Sequence, residues 1–334
     1  MLIDTHAHLN FNAFKDDADE VIRRSLDNNI WMINVGSQYE TSKRAVEIAE
    51  KHERGVFASV GLHPIHLATD LVKIKNDTEE IDTSTSSVST SSSSSSLKTH
   101  QGLNDLSLRA EGLSKAERVE IKTKEENFGY DRYKDLVRST SSGQADSKVV
   151  AIGEVGLDYY WKPKTKGKLE LFKEKQRNVL CQQLKLAKEL NLPVIFHCRM
   201  AHKDLIQFLK ENEESRPPQA VAHGFVGNSN ELKEYLNFGY HIGFNGIIFK
   251  KIEGIDFEEN IRQTPLERIL IETDCPYLTP PLPAEALAKA GLKEGRNEPL
   301  YIEYVARKIA EIKNIDFEKV AEITFQNAKN LFKI

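Results

Sequence analysis

The sequence predicts an α/β fold, a (β/α)8 barrel of eight parallel strands ringed by helices. Three observations lead there. Short apolar runs alternate with longer amphipathic segments, the pattern of βα units built on a parallel sheet. The strand-like runs number eight. The length also fits once one polar stretch is set aside. Removing the 77 residues of 71–147 from 334 leaves 257, close to the roughly 250 usual for this barrel.

The elements follow in order. Residues 2–8 read as strand 1, and Asp16–Asn29 as a helix. Ile30–Val35 forms strand 2, ending at Gly36, before a Thr41–Lys51 helix. Gly55–Val60 is strand 3, ending in Gly61-Leu62-His63-Pro64. Strand 4 is Val149–Glu154. The Lys168–Leu190 helix carries Leu169, Phe172, Leu180, Leu184 and Ala187 close to helical period. Strand 5 is Pro193–His197 with an Asp204–Asn212 helix, and strand 6 is Ala220–His223 with an Asn230–Phe238 helix. Tyr240–Phe244 and Ile269–Thr273 supply strands 7 and 8, and two or three helices fill Pro299 to Phe332.

Residues 71–147 interrupt this pattern within what reads as a single barrel over 1–334. Positions 84–96 are all Ser or Thr except Val88, and the flanks are polar and charged. Such a segment buries too little apolar surface to offset its ordering entropy, so it reads as a disordered insertion after strand 3. A small inserted domain is the second reading, and Ala116–Lys124 has local helical character. Phosphorylation or tethering are conceivable roles; neutral expansion is the simpler one.

Composition narrows the class. The net charge is −4, so no global basic field calls for nucleic acid, and none excludes it locally. No run approaches a membrane span. The amino terminus lacks a basic region, and Asp4 and His6 break its apolar stretch, so no signal peptide is expected. Cys181, Cys198 and Cys275 form no secreted-type framework. An intracellular setting, cytoplasmic or nuclear, is the simplest inference.

Six metal-ligand residue types stand at strand ends. His6 and His8 close strand 1, and side chains at i and i+2 share one strand face, so two imidazoles converge. Glu154 follows Ala151-Ile152-Gly153, His197 follows Val194-Ile195-Phe196, His223 follows Ala220-Val221-Ala222, and Asp274 follows Leu270-Ile271-Glu272-Thr273. Barrel enzymes of this kind gather their chemistry at the carboxyl ends of strands. Four histidines and two carboxylates exceed the needs of one four-coordinate ion. Two ions bridged by Glu154 would use them all, and such a pair activates water and clamps both oxygens of a displacement. For each residue alone, the plain alternative is a buried, hydrogen-bonded polar group.

With these residues, the chain resembles the TatD-type metal-dependent hydrolases of the amidohydrolase superfamily. The matching segments are Asp4-Thr5-His6-Ala7-His8-Leu9, Gly61-Leu62-His63-Pro64, Gly153-Glu154-Val155-Gly156-Leu157-Asp158-Tyr159, His197-Cys198-Arg199, His223-Gly224-Phe225, Glu272-Thr273-Asp274-Cys275-Pro276-Tyr277-Leu278 and Arg296-Asn297-Glu298-Pro299. They run in family order, and only the insertion departs from the pattern. The resemblance implies a (β/α)8 fold, two divalent ions and hydrolysis of DNA phosphodiesters, as a 3′–5′ exonuclease or an endonuclease. It implies one metal on His6, His8, Glu154 and Asp274, and another on Glu154, His197 and His223.

Other signals are weaker. Asp274 is the candidate for taking the proton of the attacking water, provided one carboxylate oxygen stays free; Glu154 is its catalytic companion. His63 is a candidate substrate contact, against a local structural histidine. Asp158 is read either as orienting a ligand histidine or as a turn cap. Arg199 and Arg296 would each clamp a phosphate oxygen, against structural ion pairing. Cys198 and Cys275 face away from the ligands and read as packing. His52, His66, His100, His202 and His241 receive no role, being read as surface or capping residues. Lys162, Lys164, Lys166 and Lys168 follow Tyr159-Tyr160-Trp161. Amines that track phosphates and rings that stack bases suit a single-stranded DNA end; the alternative is an ordinary solvated loop.

Two other functions remain open at this level. One is hydrolysis of a different ester or amide, such as the ester joining a D-amino acid to tRNA, because fold alone does not choose the substrate. The other is a non-catalytic scaffold, which would have no need of six ligands. Imidazoles favour zinc or manganese, and phosphodiester chemistry commonly runs on magnesium or manganese.

Overall fold

The structure, a computed structural model, describes residues 1–67, 127–139, 147–282 and 295–334. Eight strands form one sheet in chain order, every neighbouring pair parallel. They are β1 (Leu2–Ala7), β2 (Ile30–Val35), β3 (Val56–Val60), β4 (Val149–Asp158), β5 (Val194–Arg199), β6 (Ala220–Ala222), β7 (His241–Phe244) and β8 (Ile269–Ile271). A parallel bridge between Ala7 and Cys275, with Asp274 N–H donating to His6 O at 2.8 Å, nearly closes the sheet into a barrel.

Helices sit between the strands: α1 (Ala18–Asp27), α2 (Tyr39–Glu50), α3 (Tyr130–Ser139), α4 (Lys166–Leu190), α5 (His202–Glu211), α6 (Ser229–Asn237) and α7 (Phe257–Gln263). Two more, α8 (Ile302–Lys313) and α9 (Phe317–Phe332), follow β8. Local signals set their limits. Asn228 accepts from the Asn230 and Glu231 N–H groups and so starts α6, while Glu231 reaches back to Asn228 N–H. Asn191 ends α4 in the left-handed conformation that Asn tolerates.

The strands are buried on both faces, as a parallel barrel requires. On β2, Ile30 and Met32 pack outward under the helices, while Ile33 and Val35 point into the barrel. There they meet Ile3, Val150, Ala151, Ile195, Val221 and Leu270. Ala328, Leu331 and Phe332 of α9 join that inner cluster, so the last helix closes one end of the barrel. Cys198 and Cys275 are buried in the outer core, which fits the packing role expected of them.

Two expectations are corrected. The end of the stretch read as a 71–147 insertion is not disordered, because α3 begins at Tyr130. Tyr133, Leu136 and Val137 recur at three- and four-residue spacing and bury one face. Lys134 pairs with Glu189 of α4 at 2.6 Å, and Tyr133 Oη donates to Gly61 O. Residues 71–126 and 140–146, including the Ala116–Lys124 patch, lie outside the described residues. The second correction concerns β4, which runs on past Glu154 to Asp158 and pairs with β5 as far as Arg199. Glu154 therefore lies inside a strand, at a register shift between Ile152 and Val155.

Candidate metal centre

Glu154 is the hub. Its Oε1 lies 2.6 Å from His197 Nδ1, 3.4 Å from His223 Nε2 and 3.6 Å from His63 Nε2. Its Oε2 lies 3.3 Å from His6 Nε2 and 4.0 Å from His8 Nε2. Asp274 Oδ1 stands 3.3 Å from His8 Nε2 and 3.9 Å from His6 Nε2. All six ligand residues expected from the sequence thus meet in one cluster. Two donor triads share Glu154: His6 with His8, and His197 with His223.

The strands place these groups by local means. Asp274 sits at φ +58, a left-handed turn that Asp accepts more readily than most residues. That turn follows β8, and Asp274 N–H is held by His6 O. Behind it, the buried Asp4 carboxylate accepts from Thr273 N–H, Thr273 Oγ1 and His6 N–H, stitching β1 to the β8 end. Burial raises the Asp4 pKa to about 7, with those hydrogen bonds opposing. At Gly156 a Cβ would collide with the His197 carbonyl, so only glycine lets β4 and β5 approach here.

Ring orientation is set by outer partners. His8 Nδ1 lies 2.8 Å from Val35 O, a carbonyl that can only accept, so Nδ1 carries the proton and the Nε2 lone pair faces the cluster. His63 Nδ1 accepts from Ile65 N–H at 3.0 Å, which leaves the proton on Nε2, turned toward Glu154. His63 is thus set to donate a hydrogen bond, although its ring lies within donor range of Asp158 and His197. Asp158 Oδ2 meets His197 Nε2 at 3.2 Å, and Asp158 Oδ1 accepts from Tyr160 N–H. Both readings of Asp158, orienting group and turn cap, therefore hold. Glu272 Oε1 lies 2.8 Å from His223 Nδ1, an ion-pair distance off the hydrogen-bond line. A Cβ at Gly243 would displace that carboxylate.

The carboxylates and imidazoles of the cluster shift one another's protonation. Burial would raise the Glu154 pKa, but His63, His6, His197 and His223 hold it well below the carboxylate range. Burial likewise works against ionising Asp274, and His8, His223 and His6 overcome it. Burial opposes charge on His197 and His223, yet their carboxylate partners raise them to about 9 and about 10. His6 and His63 move the other way, burial lowering both. Protons fill a buried site whose carboxylates demand positive charge. Four ring nitrogens around a shared carboxylate, with Asp274 adjoining, are a donor set suited to divalent metal.

The remaining candidates divide. Arg199 is half-buried, its guanidinium 3.7 Å from the Tyr160 ring centroid at the mouth of the cluster. Lys162 and Lys164 are exposed on the loop between β4 and α4. Arg296 stands apart. It is bidentate on Asp17 at 2.7 and 2.9 Å and also donates to Glu298 and Ala13 O, so this geometry fits the ion-pair alternative rather than a phosphate clamp. His66, His202 and His241 are buried, not at the surface, and burial lowers each pKa to about 4. His100 lies outside the described residues. Sequence reasoning gave Glu272 no role. The available signal was its i, i+2 relation to Asp274 along one extended segment.

Known proteins resemble this chain. A family model described as TatD related DNase matches residues 3–333. The uncharacterized metal-dependent hydrolase YabD of Bacillus subtilis is 32% identical over 336 residues, covering 100% of both chains. The 3'-5' ssDNA/RNA exonuclease TatD of Pectobacterium carotovorum is 37% identical over 186 residues, 56% of this chain and 66% of that relative. Among solved structures, the TatD homolog YJJV of Escherichia coli superposes with a TM-score of 0.68 at 23% identity, covering 100% of this chain and 98% of that one. A TatD family hydrolase of Entamoeba histolytica gives 0.67 at 22% identity, covering 99% and 97%. The two structures speak to the barrel; the family match and the full-length relative speak to kinship. This chain belongs to the TatD family of metal-dependent hydrolases.

Proposed function

We propose that this hydrolase cleaves phosphodiester bonds of single-stranded nucleic acid, DNA foremost, working from the 3′ end. The observation that carries the reading is the Glu154 hub, a buried carboxylate shared by two histidine pairs. His6, His8, Glu154 and Asp274 would hold one divalent ion, and Glu154, His197 and His223 a second. Magnesium, manganese and zinc all suit parts of this donor set. Bound there, such ions lower the pKa of water and neutralise phosphate oxygens.

The residues do the rest. Asp274 is ionised by its histidine neighbours, and an oxygen not spent on a ligand contact accepts the proton of the attacking water. His63 presents an Nε2–H donor beside Glu154, placed for a phosphate oxygen. Asp158 and Glu272 hold the His197 and His223 rings in register. Lys162 and Lys164 offer exposed amines to the backbone beyond the scissile bond. The relatives named as 3'-5' ssDNA/RNA exonucleases support this substrate class.

The test is direct. Purified protein is incubated with labelled single-stranded DNA, duplex DNA, RNA and charged tRNA under a panel of divalent ions, with metal content measured in parallel. We expect stepwise shortening of single-stranded DNA from the 3′ end and up to two ions per chain. Alanine at Lys162 and Lys164 should raise KM for DNA and flatten its salt dependence. Deacylation of charged tRNA without any nucleic-acid cleavage would replace the proposal with an esterase. Absence of bound metal would favour the scaffold.

A further inference from the structure

The rim where β4 and β5 end carries a feature that metal chemistry does not use. The two strands pair to their last residues, Asp158 with Arg199, and Tyr159 N–H donates to Arg199 O at 2.9 Å. Asp158 itself touches the ligand His197. Residues that continue either strand therefore leave from beside the cluster. Three consecutive aromatics leave β4 and take different places. Tyr159 turns inward against Phe172. Tyr160 is half-buried, with Arg199 over its face and Trp161 edge-on at 4.9 Å. Trp161 is 41% exposed.

Across from them, Met200 follows Arg199 and is 57% exposed, the highest value among the large hydrophobic residues described. It also sits at φ +55, a left-handed conformation unfavourable for a residue with a side chain. A strained backbone that holds an apolar side chain in water has no packing return, and strain of this kind concentrates at ligand sites. Two exposed apolar residues, one next in sequence to each partner, thus adjoin a flat guanidinium stacked on a ring, with exposed lysines next along the chain. An aromatic, planar group tied to phosphates matches this set on every count. A purely apolar partner would leave the cations unused.

We propose that Trp161, Met200 and the Arg199–Tyr160 stack form a subsite for one nucleobase of the substrate, beside the metal cluster. This inference rests on the nucleic-acid reading above and sharpens it. Recognition here is by stacking, so it tolerates any base but requires that a base be present.

The experiment compares a single-stranded oligonucleotide with one carrying abasic tetrahydrofuran residues near its 3′ end. Wild type should prefer the intact strand by at least about fivefold in KM. Trp161→Ala and Met200→Gly should each raise KM for the intact strand, leave kcat nearly unchanged and erase that preference. Glycine also relieves the strain at 200, so thermal stability should hold or rise while KM worsens. Trp31 and Trp161 are the two tryptophans, so Trp31→Phe leaves Trp161 as the only indole, excited selectively at the red edge of the absorption band. In an Asp274→Asn background with divalent ion, the intact strand should quench it saturably and the abasic strand less. Unchanged preference in both variants, or equal quenching by both strands, overturns the subsite while the nuclease reading stands. No nucleic-acid cleavage by wild type with any ion overturns both.

Discussion

Metal binding should expel protons, and Glu272 should set how many. Burial alone would lower the His223 pKa, but Glu272, then Glu154, reverse this and raise it to about 10. Burial also opposes charge on His197, and Glu154 with Asp158 raises it to about 9. Both rings are cations at pH 7 without metal, whereas a histidine ligates only as the neutral base. Loading this pair at pH 7 therefore releases about two protons. At about 1.4 kcal/mol per pH unit, the two deprotonations cost on the order of 3 and 4 kcal/mol. Apparent affinity should rise with pH and level off above 9 to 10. The metal-free fold has the opposite dependence. Folded pKa values above the usual 6.5 or so give stability that is full below that pH and is lost as pH rises through 9 to 10. Glu272→Gln keeps the shape beside Gly243 but removes the strongest partner raising His223. Proton release at pH 7 should fall below the wild-type count. Calorimetric titration with zinc or manganese in buffers of different ionisation enthalpy counts the protons directly. Zero release in wild type, or equal release in wild type and Glu272→Gln, would refute the reasoning.

Other consequences are as specific. Glu154→Ala should lose both ions and nearly all hydrolysis while circular dichroism shows an intact barrel; wild-type turnover would end the shared-carboxylate assignment. Arg296→Met should lower stability by roughly 2–3 kcal/mol, the scale of hydrogen bonds to a charged group, with KM for DNA unchanged; a raised KM at wild-type stability would restore the phosphate-clamp role. Replacing 71–126 with a Gly-Ser linker should preserve metals and turnover. Extending that deletion through 139 removes Tyr133, Leu136 and Val137 from the core and should destabilise the barrel by several kcal/mol, at about 1.5–3 per buried side chain; equal melting temperatures for the two deletions would contradict the packing of α3.

The residues that cluster around Glu154 were legible in the sequence because each follows an apolar run that is itself recognisable. Strand ends define the mouth of a barrel, so position along the chain became position in space. Legibility failed where structure depends on distant partners. Arg296 pairs with Asp17, 279 residues earlier, and local sequence carries no sign of it. The α3 helix has three core residues among charged ones, too few for a sustained period. The seven residues of α7 begin with the Asp256 cap on Glu259 N–H but are short for a periodic signal. Strand 4 extends past the Glu154 expected as its end, through a segment where Gly153 and Gly156 weaken local strand propensity. Here the glycines permit the close approach to β5 that carries the strand onward to Asp158.

The long α4 helix braces the chain beside the cluster at two points, one after β3 and one at the end of β4. Gln176 and Gln183 lie seven residues apart, two turns along one helix face, and both are buried. Each makes the same pair of hydrogen bonds to one backbone unit. Gln183 accepts from Leu62 N–H at 2.8 Å and donates to Leu62 O at 3.0 Å. Gln176 accepts from Asp158 N–H at 2.9 Å and donates to Asp158 O at 3.0 Å. Each glutamine thus serves the last turn of a strand as an extra ladder partner would. The Leu62 clamp lies one residue before His63, whose own N–H is held by Ser37 O. The Asp158 clamp lies at the carboxylate that orients His197. Both groups are anchored from the helix side, one before and one after the serine-rich stretch in the chain. Four buried hydrogen bonds thus tie α4 to the backbone beside His63 and to the residue whose carboxylate meets His197.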